Sequence, residues 1–122
     1  TDSLTRFRDT LLETQDYGFE KVAQDQAELG RKVRYLLAQK GIRSVAADGF
    51  GAPGVVVAYT DDADIQTGKK FAAVGLQIAA GVPLMCDEPE GFRTFRLGLF
   101  GLDKLQNIDR TVATLEAAME KL

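Results

Sequence analysis

The spacing of hydrophobic positions predicts two long amphipathic helices at the start of the chain. Apolar side chains recur every three or four residues in two stretches, which predicts helices over residues 3–15 and 18–40. The second stripe has one polar interruption, at Gln26, and Gly41 follows it where a left-handed residue commonly closes a helix. The apolar positions are Leu4, Phe7, Leu11 and Leu12, then Phe19, Val22, Leu29, Val33, Leu36 and Leu37.

Short apolar segments in the middle of the chain predict strands. The run from Val55 to Tyr59 is almost continuous in β-branched residues, which is typical of a strand covered on both faces. An apolar pattern between Ile65 and Val74 predicts a helix after this strand. The four predicted strands lie at residues 42–46, 55–59, 76–80 and 94–100.

A last helix follows Gly101. Asp103 is the expected cap, and Gln106 lies three residues later, in the position of a capping box. The element order is then α-α-β-β-α-β-β-α, and each helix has one apolar stripe to bury. We therefore expect an α+β (α/β) fold with a small mixed, mainly antiparallel sheet of about four strands backed by helices, in a single domain over residues 1–122. The expected buried positions of the last helix are Leu105, Ile108, Val112, Leu115 and Met119.

Composition places the chain among ordinary globular domains. Its 122 residues are 45% hydrophobic and 27% charged, enough for one core and too few residues for two domains. The formal net charge is −3 and no basic stripe is present, so we expect no nucleic-acid partner. Apolar runs are too short for a bilayer, no signal peptide opens the chain, and Cys86 has no partner for a disulfide. We expect a cytoplasmic protein without membrane contact.

The inventory of chemical groups is thin. The chain has no histidine, which removes Ser-His and Cys-His nucleophile pairs and histidine metal sites. Asp61, Asp62 and Asp64 have the wrong spacing for a calcium loop and are interpreted as caps of the following helix. Residues 48–54 are glycine-rich but lack the Gly-Lys-Ser/Thr of a phosphate-binding loop, so a plain connection is favoured.

Neither the lysines nor the cysteine predicts a reactive group. Lys69 and Lys70 lie on a polar helix face, where solvent exposure is expected, and the lone Cys86 is interpreted as inert packing. We expect the acids of the loop at residues 81–91, which are Asp87, Glu88 and Glu90, to be solvated.

Two arginines, Arg93 and Arg96, lie at the junction of this loop with the following strand. Arg96 stands among apolar strand residues, where a buried cation needs an anionic partner. Its planar guanidinium matches a carboxylate with two parallel hydrogen bonds. From spacing alone the partner is either an internal acid, in a structural salt bridge, or the carboxylate of a bound substrate.

Two stretches around this junction carry a family resemblance. They are Gly75-Leu76-Gln77-Ile78-Ala79-Ala80-Gly81 and Phe95-Arg96-Leu97-Gly98-Leu99-Phe100-Gly101. With the acidic loop between them, they resemble the C-terminal domain of class V (fold-type I) pyridoxal-phosphate-dependent aminotransferases of the alanine–glyoxylate and serine–glyoxylate type. The resemblance runs along nearly the whole chain, with its specificity concentrated in residues 75–101.

The resemblance implies that the chain is the small domain of a larger enzyme, usually a homodimer. The arginine of the family's Phe-Arg-hydrophobic-Gly motif binds the substrate α-carboxylate, and here that residue is Arg96; Arg93 falls outside the motif and is expected to be a surface or loop residue. The large domain of the same polypeptide would bind pyridoxal 5'-phosphate. No catalytic, cofactor-binding or metal-binding residue is therefore expected here, and the chain alone should be inactive.

The implied activity is transfer of an amino group from a small amino acid, such as alanine or serine, to a 2-oxo acid such as glyoxylate or pyruvate. The alternative is a free-standing regulatory or protein-interaction domain that binds a small molecule or a partner and has no catalytic role. A large exposed apolar face would favour the first hypothesis, because a domain that has lost its neighbour exposes the surface that the neighbour covered.

Overall fold

The computed structural model describes residues 1–122, which form six helices and three strands. In chain order the elements are α1 (Asp2–Tyr17), α2 (Phe19–Gln39), β1 (Val55–Tyr59), α3 (Ala63–Gln66), α4 (Lys69–Ala73), β2 (Ala79–Ala80), β3 (Thr94–Gly98), α5 (Leu102–Gln106) and α6 (Ile108–Met119). No helix combines the length and the apolar content that crossing a membrane requires.

The two N-terminal helices confirm the predicted pattern. Gly18, with a φ of 106°, separates α1 from α2. At the end of α2, Gly41 is left-handed with a φ of 76°. Its N–H donates to the carbonyl of Ala38 at 3.0 Å, and the N–H of Ile42 donates to that of Leu37 at 2.9 Å. This is the paired hydrogen-bond pattern of a Schellman motif, so the predicted glycine cap is confirmed.

The sheet confirms the α+β class but has three strands rather than four. Its order is β1-β3-β2, and both pairs are antiparallel. Residues 42–46, predicted as a strand, contribute only an isolated bridge between Ser44 and Ala58. The Ser44 hydroxyl accepts a hydrogen bond from the N–H of Ala46 at 3.2 Å. The segment bonds to β1 through the carbonyl of Arg43 and the N–H of Val45, and the pairing ends there because the N–H of Ala46 is already bonded to Ser44.

Two other predicted elements are shorter than expected. The helix predicted between Ile65 and Val74 is divided into α3 and α4, because Gly68 is left-handed with a φ of 86°. The strand predicted at residues 76–80 is reduced to β2, because the N–H of Leu76 donates to the carbonyl of Phe71 at 2.9 Å in closing α4.

The predicted capping box near the C-terminus is wrong. Gly101 precedes α5, so Asp103 lies within the first turn, and Gln106 is the last residue of the same short helix. The Asp103 carboxylate instead accepts a hydrogen bond from Arg110 at 2.8 Å. The predicted apolar face is confirmed, since Leu105, Leu115 and Met119 are buried and Ile108 and Val112 pack against them.

The core lies between one face of the sheet and the helices. On β1 only Val56 and Ala58 are buried, whereas Val55, Val57 and Tyr59 are half-buried. The expectation that this strand is covered on both faces is therefore wrong. We call the less covered side, which carries Val55, Val57, Ala79 and Arg96, the open face, although Thr94 on the same side of β3 is buried. The core itself comprises Leu29, Val33, Leu36, Leu37, Val56, Ala58, Phe71, Phe95, Leu97, Leu99, Leu105, Leu115 and Met119.

Candidate functional site

Arg96 lies in the middle of β3, on the open face of the sheet. Its neighbours Phe95 and Leu97 are buried against the helices, and successive strand residues point to opposite faces. In the register of the sheet Arg96 is flanked by Val57 on β1 and Ala79 on β2. Its guanidinium therefore rises from the central strand, on the side away from the main core.

A backbone hydrogen bond fixes this guanidinium. The Nε of Arg96 donates to the carbonyl oxygen of Ala80 at 2.8 Å, and its two terminal nitrogens make no hydrogen bond within the chain. No carboxylate forms an ion pair with it. Of the two partners that the sequence left open, the internal acid is therefore not present. The free pair of terminal nitrogens has the geometry that receives a carboxylate end-on.

Gly81 sets the position of the carbonyl that binds Arg96. A Cβ atom at Gly81 would lie 1.7 Å from the carbonyl oxygen of Thr94, so only glycine permits this approach of β2 to β3. The N–H of Gly81 donates to the carbonyl of Gln66 at 3.0 Å, which ties the same point to α3. The end of β2 is thus held from two sides, next to the Arg96 side chain.

Glu88 organises the loop that follows β2. Its carboxylate accepts hydrogen bonds from the N–H groups of Cys86 at 2.9 Å, Met85 at 3.1 Å and Leu84 at 2.7 Å. The N–H of Cys86 contributes most, followed by that of Glu88 itself and those of Met85 and Leu84, and together they lower the pKa of Glu88 from 4.5 to about 2. The expectation that Glu88 is merely solvated is wrong. Its partners are all backbone groups, which leave no signal in the sequence; Asp87 and Glu90 are exposed, as expected.

Two hydrogen bonds within the chain also hold the guanidinium of Arg93. Its Nε donates to the side-chain oxygen of Gln66 at 3.0 Å, and its Nη1 donates to the carbonyl of Asp61 at 2.7 Å. It therefore ties the segment before β3 to the start of α3. It lines a cleft of about 530 Å³, together with Tyr59 and Phe92, whereas Arg96 lines none of the five main clefts.

Of the three aspartates around the start of α3, one caps the helix. The Asp62 carboxylate accepts hydrogen bonds from the N–H groups of Asp64 at 2.8 Å and Ile65 at 3.2 Å. It also binds Lys70, which together with these N–H groups lowers the pKa of Asp62. The predicted cap is confirmed for Asp62 alone, because Asp61 contributes its carbonyl to Arg93 and Asp64 lies in the first turn.

The lysines of the chain are exposed or half-buried. A Schiff-base lysine needs a lowered pKa, which apolar burial supplies. Here no lysine is buried, and the pKa of Lys70 is raised by Asp62, while that of Lys32 is raised by Glu28 and Asp109. Cys86, interpreted from the sequence as packing, is instead exposed. No group of His, Cys, Asp or Glu is arranged to hold a metal ion.

Comparison of the chain with protein-family models and with curated proteins gives no match.

Proposed function

We propose that this chain is the C-terminal small domain of a class V pyridoxal-phosphate-dependent aminotransferase, in which Arg96 binds the substrate α-carboxylate. The single observation that carries the proposal is the state of the Arg96 guanidinium. It is tethered through Nε to Ala80, has no internal acid, and directs its terminal nitrogens away from the main core. A charged fork without a counter-ion, held by neutral backbone, is suited to an anionic ligand.

The absence of a cleft around Arg96 agrees with a site that is completed by another domain. One wall is the open face, with Val57 and Ala79 on either side of Arg96. In the proposed enzyme the large domain of the same polypeptide supplies the opposite wall and the pyridoxal phosphate. The contribution of this chain is then to bind and orient the carboxylate of a small amino acid or 2-oxo acid, and it is inactive alone.

Exposed apolar side chains support the presence of a missing neighbour. Helix α1 has no buried residue, and its apolar side chains Leu4 and Phe7 are 71% and 64% exposed. In the loop after β2, Met85 is 89% exposed, and Phe100 at the end of the sheet is 64% exposed. On α1 the exposed apolar residues lie on one face of the helix, and such an uncovered stripe is typical of an interface. It favours a domain within a larger assembly, such as the homodimer expected of this class, over a free-standing regulatory module.

A cytoplasmic location forms part of the proposal. The single cysteine, Cys86, is exposed and unpaired, a state that a reducing compartment preserves.

The proposal predicts a specific kinetic defect when Arg96 is changed in the polypeptide that contains both domains. Loss of a bidentate contact in Arg96→Ala should lower kcat/KM for the amino-acid substrate, with a rise of about 2–4 kcal/mol in the activation free energy. Arg96→Lys keeps the charge but not the fork and should recover only part of this loss. The measurement is steady-state kinetics, with Arg110→Ala as the control because that arginine is exposed and paired with Asp103.

Unchanged kinetics in Arg96→Ala would contradict the role of Arg96. The proposed identity has its own test in the gene: the reading frame should encode, upstream, a large domain with a lysine between a strand and a loop. A reading frame without such a domain would favour the alternative of a binding or regulatory domain, whatever Arg96 does.

A further inference from the structure

The hydrogen bond that holds the guanidinium of Arg96 is the last of three that lead to it from Arg93. The Nε of Arg93 donates to the side-chain oxygen of Gln66 at 3.0 Å. The N–H of Gly81 donates to the backbone carbonyl of the same glutamine at 3.0 Å. The carbonyl of Ala80 then accepts the hydrogen bond from the Nε of Arg96 at 2.8 Å. The two arginines at the start of β3 are therefore connected through α3 and the end of β2.

A single rigid peptide group joins the last two of these hydrogen bonds. The carbonyl of Ala80 and the N–H of Gly81 belong to the same peptide unit, which is planar and trans. The two groups point in opposite directions, so the N–H cannot turn away from Gln66 unless the carbonyl also turns away from Arg96. A glycine has no Cβ to restrict rotation of the adjacent peptide group. The hydrogen bond to Gln66 therefore supplies part of the restraint on the carbonyl that binds Arg96.

Arg93 holds the Gln66 carbonyl in place by binding both ends of α3. Its Nη1 donates to the carbonyl of Asp61, just before the helix, and its Nε donates to the side chain of Gln66, the last residue of the helix. The carbonyls of the last turn of a helix have no later N–H of that helix to bind, so the Gln66 carbonyl is free to accept from Gly81. A planar guanidinium has its nitrogens at fixed separations, and bound in this way it sets the orientation of α3.

The backbone of Arg93 is itself anchored to the sheet. Its carbonyl accepts a hydrogen bond from the N–H of Thr60 at 3.1 Å, at the end of β1. The side chains of Arg93 and Gln66 are half-buried, and no carboxylate forms an ion pair with Arg93. The guanidinium of Arg93 is thus committed to neutral acceptors on α3, and its place is defined relative to the strands.

We propose that Arg93 and Gln66 are positioning residues for Arg96, which hold its guanidinium in place through the peptide group between Ala80 and Gly81. This geometric role requires only groups of this chain. Its kinetic consequence rests on the proposed function, in which Arg96 binds the substrate α-carboxylate. A carboxylate that does not react is bound alike before and during the reaction, so a poorly held guanidinium should raise KM and leave kcat nearly unchanged.

The geometric role is tested by the solvent exchange of the Arg96 Nε–H, measured by NMR in the 122-residue chain. Gln66→Leu removes the acceptor of Arg93 but keeps the backbone carbonyl, and it should make this proton exchange at least about threefold faster as the tether loosens. Gln66→Glu keeps an oxygen acceptor and should restore slow exchange. Arg93→Lys has a single nitrogen, which cannot bind both ends of α3, and should act like Gln66→Leu.

The Nε–H of Arg34 is the control within the same spectra. It is buried next to Gly51, and its guanidinium bonds to no residue of α3. Its exchange should be the same in all of these variants. Faster exchange of Arg34 and Arg96 together would mean that the variants loosen the whole fold, and an unchanged Arg96 signal in Gln66→Leu would mean that the tether does not depend on Gln66. Either result would overturn the proposal.

Kinetics of the polypeptide that contains both domains separate this proposal from the proposed function. Gln66→Leu should raise KM for the amino-acid substrate about three- to tenfold and change kcat by less than about twofold. In an Arg96→Ala background it should have no further effect, because it acts through Arg96. A normal KM in Gln66→Leu, or a full effect in that background, would contradict the positioning role. If Arg96→Ala itself has unchanged kinetics, the proposed function fails, and the exchange of the Arg96 Nε–H alone decides the geometric role.

Discussion

Three charged side chains of this protein are oriented by hydrogen bonds to backbone groups rather than by other side chains. Arg96 is oriented by the carbonyl of Ala80, Glu88 by three N–H groups, and Arg34 by the carbonyls of Ala52 and Val55. The sequence identifies Arg96 as a candidate because an arginine stands out among apolar strand residues. It gives no comparable signal for Glu88 or Arg34, because any residue supplies the backbone groups that bind them.

The loop after β2 should have a characteristic dependence on pH. The folded pKa of Glu88 is lowered from 4.5 to about 2, so its carboxylate stabilises the loop fully above pH 4.5, and this contribution is lost as the pH falls through about 2. The amide protons of Leu84, Met85 and Cys86 should therefore titrate in NMR spectra with a midpoint of about 2. In Glu88→Gln this titration should disappear. A midpoint near 4.5 would show that the carboxylate does not hold these amides.

At the scale of elements, helices were predicted more accurately than strands. The stripes of α1 and α2 are periodic over many turns, and the Gly41 cap depends on neighbours within the same helix. A short strand depends instead on whether its backbone groups are free to pair. In the 42–46 segment Arg43 and Val45 bond to β1, but the N–H of Ala46 is taken by the Ser44 hydroxyl; in the 76–80 segment the N–H of Leu76 is taken by the carbonyl of Phe71.

The junction of β2 and β3 should be intolerant of a single methyl group. In Gly81→Ala the added Cβ would lie 1.7 Å from the Thr94 carbonyl oxygen, so two backbones must separate. We expect a loss of about 1–3 kcal/mol in the free energy of unfolding. Gly98→Ala is the control, because its Cβ would meet only the exposed ring of Phe100, at 3.4 Å, and should change stability by less than about 0.5 kcal/mol.

Denaturant unfolding of both variants measures this difference. If Gly81→Ala is as stable as Gly98→Ala, the close approach of the two strands does not exist. A stable Gly81→Ala would also remove the reason for the position of the Ala80 carbonyl, and with it the tether of Arg96.

For the whole molecule, the main observation is an imbalance between its two sides. The helices cover one face of a three-stranded sheet, and the core on that side is continuous. The open face and the stripe of α1 have no comparable cover within the chain. The apolar spacing of the sequence predicts the stripe of α1 but not what covers it, because burial within the chain and burial by a neighbour require the same spacing.

The stripe of α1 should therefore contribute little to the stability of the isolated chain. Replacing Leu4, Phe7 and Leu11 by Gln keeps good helix formers and removes exposed apolar surface. We expect an unchanged melting temperature and a lower fluorescence of an apolar dye that binds exposed hydrophobic surface. Leu29→Gln is the control, because Leu29 is 0% exposed and its substitution should unfold the chain. If the triple variant has a melting temperature as low as that of Leu29→Gln, the stripe of α1 contributes to the stability of the isolated chain.

The one polar residue in the apolar stripe of α2, Gln26, influences the position of this helix against the sheet. The side-chain amide of Gln26 donates to the carbonyls of Leu99 at 3.0 Å and of Pro53 at 3.1 Å. Leu99 directly follows β3, and Pro53 lies just before β1. If α2 slid by one turn, leucine and valine would still find apolar neighbours, but this amide would lose both acceptors. A purely apolar stripe tolerates such a slide, whereas the half-buried amide of Gln26 would exchange two protein acceptors for water or for none. Gln26 therefore favours the observed position of α2 along its axis over positions shifted by one turn.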